Sequence, residues 1–209
     1  MKDHWDLGTW SGIPVAMHWS VLLIFPWLYL FMGGFLYAAI GSLAYFALLL
    51  VHEFGHVAVA RWRKQYVESI TLSGTHGETA LGTYGSHVDQ ILIAWGGVAA
   101  QLLVLVAALV AGPYASRLDN PLLLTLLGPT LIILTKWNVF LMVVALLPIG
   151  PMDGHKAWAV IPLLRKRLRL RRKRKPLRIK ELSPQKLREL EKESERITAD
   201  IIKKLHEHN

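Results

Sequence analysis

Cysteine is absent from the 209 residues of this chain. Neither a disulfide framework nor a thiolate metal site is therefore available, and a bound metal ion needs histidine, aspartate or glutamate ligands. Charge is absent over a long stretch as well, because no Asp, Glu, Lys or Arg occurs between Asp6 and Glu53. With 53% hydrophobic residues and a mean hydropathy of +0.33, the composition is not that of a soluble domain and predicts a polytopic membrane protein.

The net charge of +9 is concentrated in one segment. Arg165 to Lys180 contains 11 of the 24 Lys and Arg residues and no acidic residue. A basic run that directly follows an apolar segment is typical of contact with anionic lipid on the cytoplasmic side of a membrane. Nucleic-acid binding is the weaker interpretation, so no nucleic-acid partner is expected.

Four apolar segments predict an all-α polytopic membrane protein. The predicted spans are Val15–Met32, Phe35–Trp62, Ile91–Val110 and Leu122–Leu147, the last of which is interrupted by Gly128-Pro129 and Lys136 and broken near the site by Pro148. Basic residues at Arg61, Arg63 and Lys64 indicate that the second span ends on the cytoplasmic side. Four spans then place both termini in the cytoplasm.

Two other segments differ from these spans. Residues 66–87 alternate β-branched residues with glycines, which predicts a short re-entrant β-hairpin. In the tail, Ser183-Pro184 marks a helix start, and apolar residues recur at helical spacing from Leu187 to Leu205. This pattern predicts an amphipathic cytoplasmic helix that packs on the protein or the membrane surface, with a coiled-coil dimer contact as the alternative.

These features divide the chain into three parts. They are a membrane core over residues 1–164, a polybasic juxtamembrane segment over 165–182 and the amphipathic helix over 183–209.

The pattern H-E-x-x-H occurs at His52-Glu53-Phe54-Gly55-His56, near the end of the second span. Residues four apart lie on one face of a helix, so both imidazoles can hold one zinc ion (Zn²⁺) while Glu53 faces the reacting water. Ionisable groups inside a span are costly and mark functional sites. A catalytic zinc usually takes three protein ligands, and Asp153 is the one acidic residue in a proline-broken apolar context.

Together these residues resemble the site-2 proteases, a family of intramembrane zinc metalloproteases. The resemblance covers roughly residues 8–162 and rests on the H-E-x-x-H pattern, on Asn138 followed by Leu146-Leu147-Pro148-Ile149-Gly150-Pro151-Met152-Asp153-Gly154, and on Gly12-Ile13-Pro14-Val15 with His18-Trp19. It implies that His52, His56 and Asp153 bind zinc and that Glu53 is the general acid and base.

The same resemblance implies the class of substrate, and the chain departs from the family pattern at two positions. The substrate is a transmembrane segment of another membrane protein, and no PDZ or CBS regulatory domain is expected. Met152 stands where the family usually has leucine, and Ala145 stands where it often has asparagine.

Four further residues are candidates for substrate binding. An extended peptide is expected to pair with the strand that contains Ile70 and Leu72. Gln101 and Asn138 have two open interpretations, interhelical hydrogen bonding and substrate binding.

The expected function is an intramembrane zinc endopeptidase whose active site lies toward the cytoplasm. One alternative is a membrane transporter in which the His, Glu and Asp groups relay a metal or another ion. The other is an inactive scaffold that binds membrane proteins.

Overall fold

The computed structural model describes residues 4–74, 76–82, 85–115, 117, 119–150, 152–173 and 184–207, and side chains within them except at 171–173, 184 and 205–207. Pro151, Ser183 and residues 174–182 of the predicted polybasic segment lie outside this part. The chain forms two compact units, Met1–Pro162 and Leu163–Asn209, which are described separately.

The first unit combines helices with one small sheet. Its elements are β1 (His4–Trp10), β2 (Ile13–His18), a 3-10 turn (Trp19–Leu23), α1 (Ile24–Met32), α2 (Phe35–Trp62), β3 (Val67–Leu72), β4 (Gly77–Leu81), α3 (His87–Ala115), α4 (Pro121–Ile132), a π-helical turn (Ile133–Trp137), α5 (Asn138–Ala145), α6 (Gly154–Ala157) and the start of α7 (Val160–Lys173). The second unit contains the rest of α7 and the predicted tail helix, α8 (Pro184–Glu207).

Three helical stretches in the described residues are long and apolar enough to cross a membrane. They are α2, α3 and the continuous stretch Pro121–Ala145 formed by α4, the π-helical turn and α5. The predicted second span matches α2 at both ends, the third lies within α3, and the fourth ends at Ala145 instead of Leu147. The chain is therefore a mostly helical, multi-pass integral membrane protein.

The prediction of a first span over Val15–Met32 is wrong in its first part. Ile13–His18 forms β2, and only Trp19–Met32 is helical. Ile13 and Val15 are buried at alternate positions, which is the period of a strand. A short apolar run does not distinguish a strand from a buried helix, and the pairing of β2 with a distant strand decides between them.

The sheet is larger than the predicted hairpin. Its order is β1-β2-β3-β4, in which β3 and β4 form the predicted antiparallel hairpin and β2 runs parallel to β3. β1 is antiparallel to β2. The sequence analysis missed β1 and β2. The outer strands are thus β1 and β4, whereas β3 has a partner on each side.

One face of the sheet packs against α2. Val15 lies opposite Ile70 on this face, and both side chains are fully buried with Leu72 in the core cluster that includes Leu48 of α2. The Tyr45 hydroxyl of α2 also donates a hydrogen bond of 2.9 Å to the carbonyl oxygen of Gly74, between β3 and β4. The hairpin is therefore fixed against the helix that carries H-E-x-x-H.

Helices α2 and α3 meet through glycines. A Cβ placed on Gly96 would lie 2.6 Å from the carbonyl oxygen of Gly55, so the two backbones are in direct contact. At the end of α2, the Arg63 Nε donates to the Asp89 carboxylate at 2.5 Å, which connects this end to the first turn of α3. These contacts hold α3 close to both histidines.

Candidate active site

The last turns of α2 place His52, Glu53 and His56 in the interior of the first unit, where all three are buried. They face the sheet and α3 instead of lipid. This burial follows from the close glycine packing of α2 on α3 and from the sheet above α2. Glu53 is only 1% exposed, which is a costly environment for a carboxylate without a functional partner.

Asp153 reaches this region because the chain turns back after α5. Gly150 adopts a left-handed conformation with φ of +57°, and a Cβ on Gly154 would lie 2.5 Å from the Leu147 carbonyl oxygen. Two indoles fix the returning segment: Trp158 donates to the Leu146 carbonyl at 2.7 Å, and Trp95 of α3 donates to the Ala157 carbonyl at 3.2 Å. The sequence Asp153-Gly154 is thus suited to this close approach.

His52, His56 and Asp153 converge on one point. Their ligand atoms form an almost regular triangle, with 3.0 Å between the two Nε2 atoms and 3.0 Å and 3.1 Å from these atoms to Asp153 Oδ2. In a tetrahedral site with ligands at ~2.0–2.1 Å, ligand atoms lie about 3.3 Å apart. The three atoms therefore have the spacing of ligands to a single metal ion.

Both imidazoles direct their Nε2 lone pairs into this triangle. His52 Nδ1–H donates to Gln101 Oε1 at 3.0 Å, and His56 Nδ1–H donates to the Ile93 carbonyl at 2.6 Å. The Gly97 N–H of α3 also points at this His56 nitrogen, at the longer distance of 3.3 Å. With the protons on Nδ1, three acceptor atoms face one another: the two Nε2 atoms and Asp153 Oδ2. A cation between them would remove the repulsion among their lone pairs.

The state of Asp153 agrees with a ligand role. Burial opposes ionisation of this carboxyl group, but when His52 and His56 carry protons on Nε2 as well, their hydrogen bonds outweigh burial and hold its pKa below the usual range. Asp153 is thus a carboxylate.

Glu53 lies beside the triangle and lines a cavity of about 270 Å³ together with His56 and Asp153. Its Oε2 accepts a hydrogen bond of 2.7 Å from the Thr79 hydroxyl of β4. A cavity with a carboxylate next to a metal triangle has room for water and a peptide group, which is the requirement for hydrolysis.

The structure places the predicted substrate residues away from this cavity. Gln101 and Asn138 are buried, and the Asn138 amide donates to the carbonyl oxygens of Gln101 at 2.9 Å and of Leu134 at 3.2 Å. The interhelical interpretation therefore describes the contacts of both. Leu134 lies in the π-helical turn, where the backbone hydrogen bonds of the helix are irregular. The Asn138 side chain donates to its carbonyl oxygen there.

The prediction that a peptide pairs with the strand containing Ile70 and Leu72 is wrong in its choice of strand. Both edges of β3 are occupied, by β2 and β4, and both side chains are fully buried. Sequence analysis also missed Thr79, Gly97 and the Ile93 carbonyl. A threonine in a strand, or a glycine or a backbone carbonyl in an apolar helix, gives no signal of a role in the site before its neighbours in space are known.

No family model matches the chain. The chain is similar to the protein named "Putative zinc metalloprotease Rip3" in the Erdman and H37Rv strains of Mycobacterium tuberculosis, with 33% identity over 180 residues. The match covers 75% of this chain and 43% of the relative, so the chain spans less than half the length of these relatives.

A solved structure has the same fold. The site-2 protease from Methanocaldococcus jannaschii matches with a TM-score of 0.58 and 22% identity, covering 76% of this chain and 71% of that chain. The chain therefore has the fold of a site-2 protease, and its sequence is similar to that of proteins named as zinc metalloproteases. Both comparisons support the resemblance drawn from the motifs, and the chain carries the His, His and Asp groups on the elements described above.

Proposed function

We propose that this chain is an intramembrane zinc endopeptidase that hydrolyses peptide bonds within or near transmembrane segments of other membrane proteins. The observation that carries the proposal is the triangle of His52, His56 and Asp153 beside the buried carboxylate of Glu53, which lines one cavity together with His56 and Asp153. The relatives named as a zinc metalloprotease and a site-2 protease support it.

Zinc fits the donor set. Two imidazole nitrogens and one carboxylate oxygen, with both imidazoles oriented by acceptors on α3, are the ligands and supporting contacts of a catalytic zinc site. When bound, the ion polarises the scissile carbonyl and makes water more acidic. His52, His56 and Asp153 would hold it.

Glu53 acts as general base and then as general acid. Its carboxylate takes a proton from the water whose oxygen forms a bond to the scissile carbonyl carbon. As the carbon–nitrogen bond breaks, Glu53 delivers this proton to the leaving amine nitrogen, and the products are a carboxylate and an amine. The 1% exposure of Glu53 keeps bulk water from competing for the proton.

The substrate peptide binds as an extended strand on the outer edge of β4, which pairs with no other strand among the described residues. A transmembrane helix has its carbonyl groups in hydrogen bonds, so the segment must unwind before cleavage. β4 is an outer strand of the sheet, lines the cavity through Gly77 and Thr79, and contacts Glu53. We assign Gln101 and Asn138 to support of the site instead of substrate contact, because both are buried.

The active site faces the cytoplasm. Arg61, Arg63 and Lys64 at the end of α2 and the basic residues of α7 support this orientation by the positive-inside rule. We place Trp19–Met32 as a fourth, shorter membrane helix, which puts both termini in the cytoplasm. The basic segment then contacts anionic lipid, and the three parts are a protease core over 1–164, this segment over 165–182 and the tail helix over 183–209.

Membranes that contain the wild-type chain or Glu53→Gln test the proposal. Sequencing of new protein N-termini should find cleavage products near transmembrane segments with the wild type only, and uncut membrane proteins should accumulate with the variant. Equal cleavage products in both membranes would overturn the proposal. Ion flux that changes in the variant without any difference in proteolysis would favour a transporter.

A further inference from the structure

The face of the sheet that packs on α2 changes character at β4. Ile70 pairs with Thr79 and Leu72 pairs with Gly77, so these four residues share one face. On β3 this face carries fully buried aliphatic side chains. On β4 it carries no side chain at position 77 and a hydroxyl at position 79.

Glu53 occupies the space that this change creates. A Cβ on Gly77 would lie 2.6 Å from Glu53 Cγ, so any side chain there would displace the carboxylate. Two positions further along the strand, the Thr79 hydroxyl donates to Glu53 Oε2 at 2.7 Å. Position 77 therefore leaves room for the carboxylate, and position 79 supplies a donor to one of its oxygens.

A buried glutamate needs such a constraint because three torsions separate its carboxylate from the backbone. A hydrogen bond to one oxygen fixes the rotation of the group and leaves the other oxygen for proton transfer. We propose that Thr79 is a positioning residue for Glu53. This inference rests on the proposed function, in which Glu53 is the general base.

In this arrangement the inner face and the outer edge of β4 have different roles. Its inner face orients the base through Thr79, and its outer edge is the proposed strand for the substrate. The base and the scissile bond are then aligned by one short strand. Loss of the hydroxyl should affect the chemical step, whereas damage to the edge should affect substrate binding.

The test uses Thr79→Val, which replaces the hydroxyl by a methyl group of similar size. The purified full-length chain would be assayed with a peptide that covers a cleavage site found in the membrane comparison. We expect kcat to fall about tenfold or more, with KM and zinc affinity within about twofold of the wild type. Thr79→Ser keeps the hydroxyl and should retain most of kcat, and Thr79→Ala, a second variant without it, should lose as much as Thr79→Val.

Thr71→Val is the matched control. Thr71 pairs with Glu78 and therefore lies on the opposite face of the same hairpin. The same chemical change at this position should leave kcat, KM and zinc affinity unchanged.

Several results would overturn the inference. They are wild-type kcat in Thr79→Val, equal losses in Thr79→Ser and Thr79→Val, or a raised KM with unchanged kcat. A loss of zinc affinity in Thr79→Val and Thr79→Ala would also contradict it, because it would show a general distortion of the site. Failure of the proposed function looks different: the wild type itself would then cleave no peptide, or Glu53→Gln would cleave as fast as the wild type.

Discussion

Gly97 of α3 lies so close to His52 of α2 that a Cβ at this position would be 2.6 Å from His52 Cε1. The same Cβ would be 2.6 Å from His56 Nε2. Real Cβ atoms essentially never approach other heavy atoms below 3.0 Å, so the missing side chain provides the room for both rings. The metal triangle depends on a residue that offers no ligand.

Gly97→Ala should therefore weaken zinc binding. We expect the zinc affinity to fall by about tenfold or more, because both imidazoles must move out of the triangle. Competition with a zinc-binding dye measures the change. Gly112→Ala is the matched control in the same helix, since a Cβ there would meet nothing within 4 Å. Equal affinities for the two variants would contradict the role of Gly97.

Gln101 should act on zinc affinity through His52. Gln101→Leu removes the acceptor at 3.0 Å from His52 Nδ1, so the ring loses the contact that sets its tautomer and orientation. We expect an affinity loss of about 10-fold to 100-fold. Gln101→Glu keeps an oxygen acceptor and should bind zinc more tightly than Gln101→Leu. Wild-type zinc affinity in Gln101→Leu would show that Gln101 does not orient His52 for zinc binding.

The grouping of His52, His56 and Asp153 could be predicted from the sequence because its signals are local or chemically rare. H-E-x-x-H places two ligands by helix geometry alone, and Asp153 stands out as a carboxylate in an apolar segment. The strand β2 was assigned to a helix because its partner β3 lies more than 50 residues along the chain. The roles of Thr79 and Gly97 depend on contacts between elements, for which no local pattern exists.

Removal of zinc should lower the thermal stability of the wild-type chain. An ion bound only by the folded state stabilises it by about 2.7 kcal/mol when its free concentration is 100 times Kd. We expect a chelator to lower the unfolding temperature of the wild type and to have no effect on His56→Ala. His155→Ala should respond like the wild type, because His155 lines the cavity but lies outside the metal triangle. A chelator response in His56→Ala would show that zinc binds elsewhere.

The outer edge of β4 should lie next to bound substrate. The chain has no cysteine, so a single Ala80→Cys on β4 can be tested for disulfide formation with a cysteine-bearing peptide. Glu53→Gln in the same chain prevents cleavage during the experiment. We expect a crosslink at position 80 and none with Thr9→Cys on β1, the other outer strand of the sheet. A crosslink at position 9 alone would contradict binding at β4.

The most direct measurement determines zinc content and peptide cleavage together in purified wild type, Glu53→Gln and His56→Ala. We expect one zinc ion per chain in the wild type and in Glu53→Gln, with cleavage by the wild type alone. His56→Ala should have neither zinc nor activity. A Glu53→Gln chain that cleaves as fast as the wild type, or a wild type that cleaves without zinc, would contradict the assignment of the metal centre and its base.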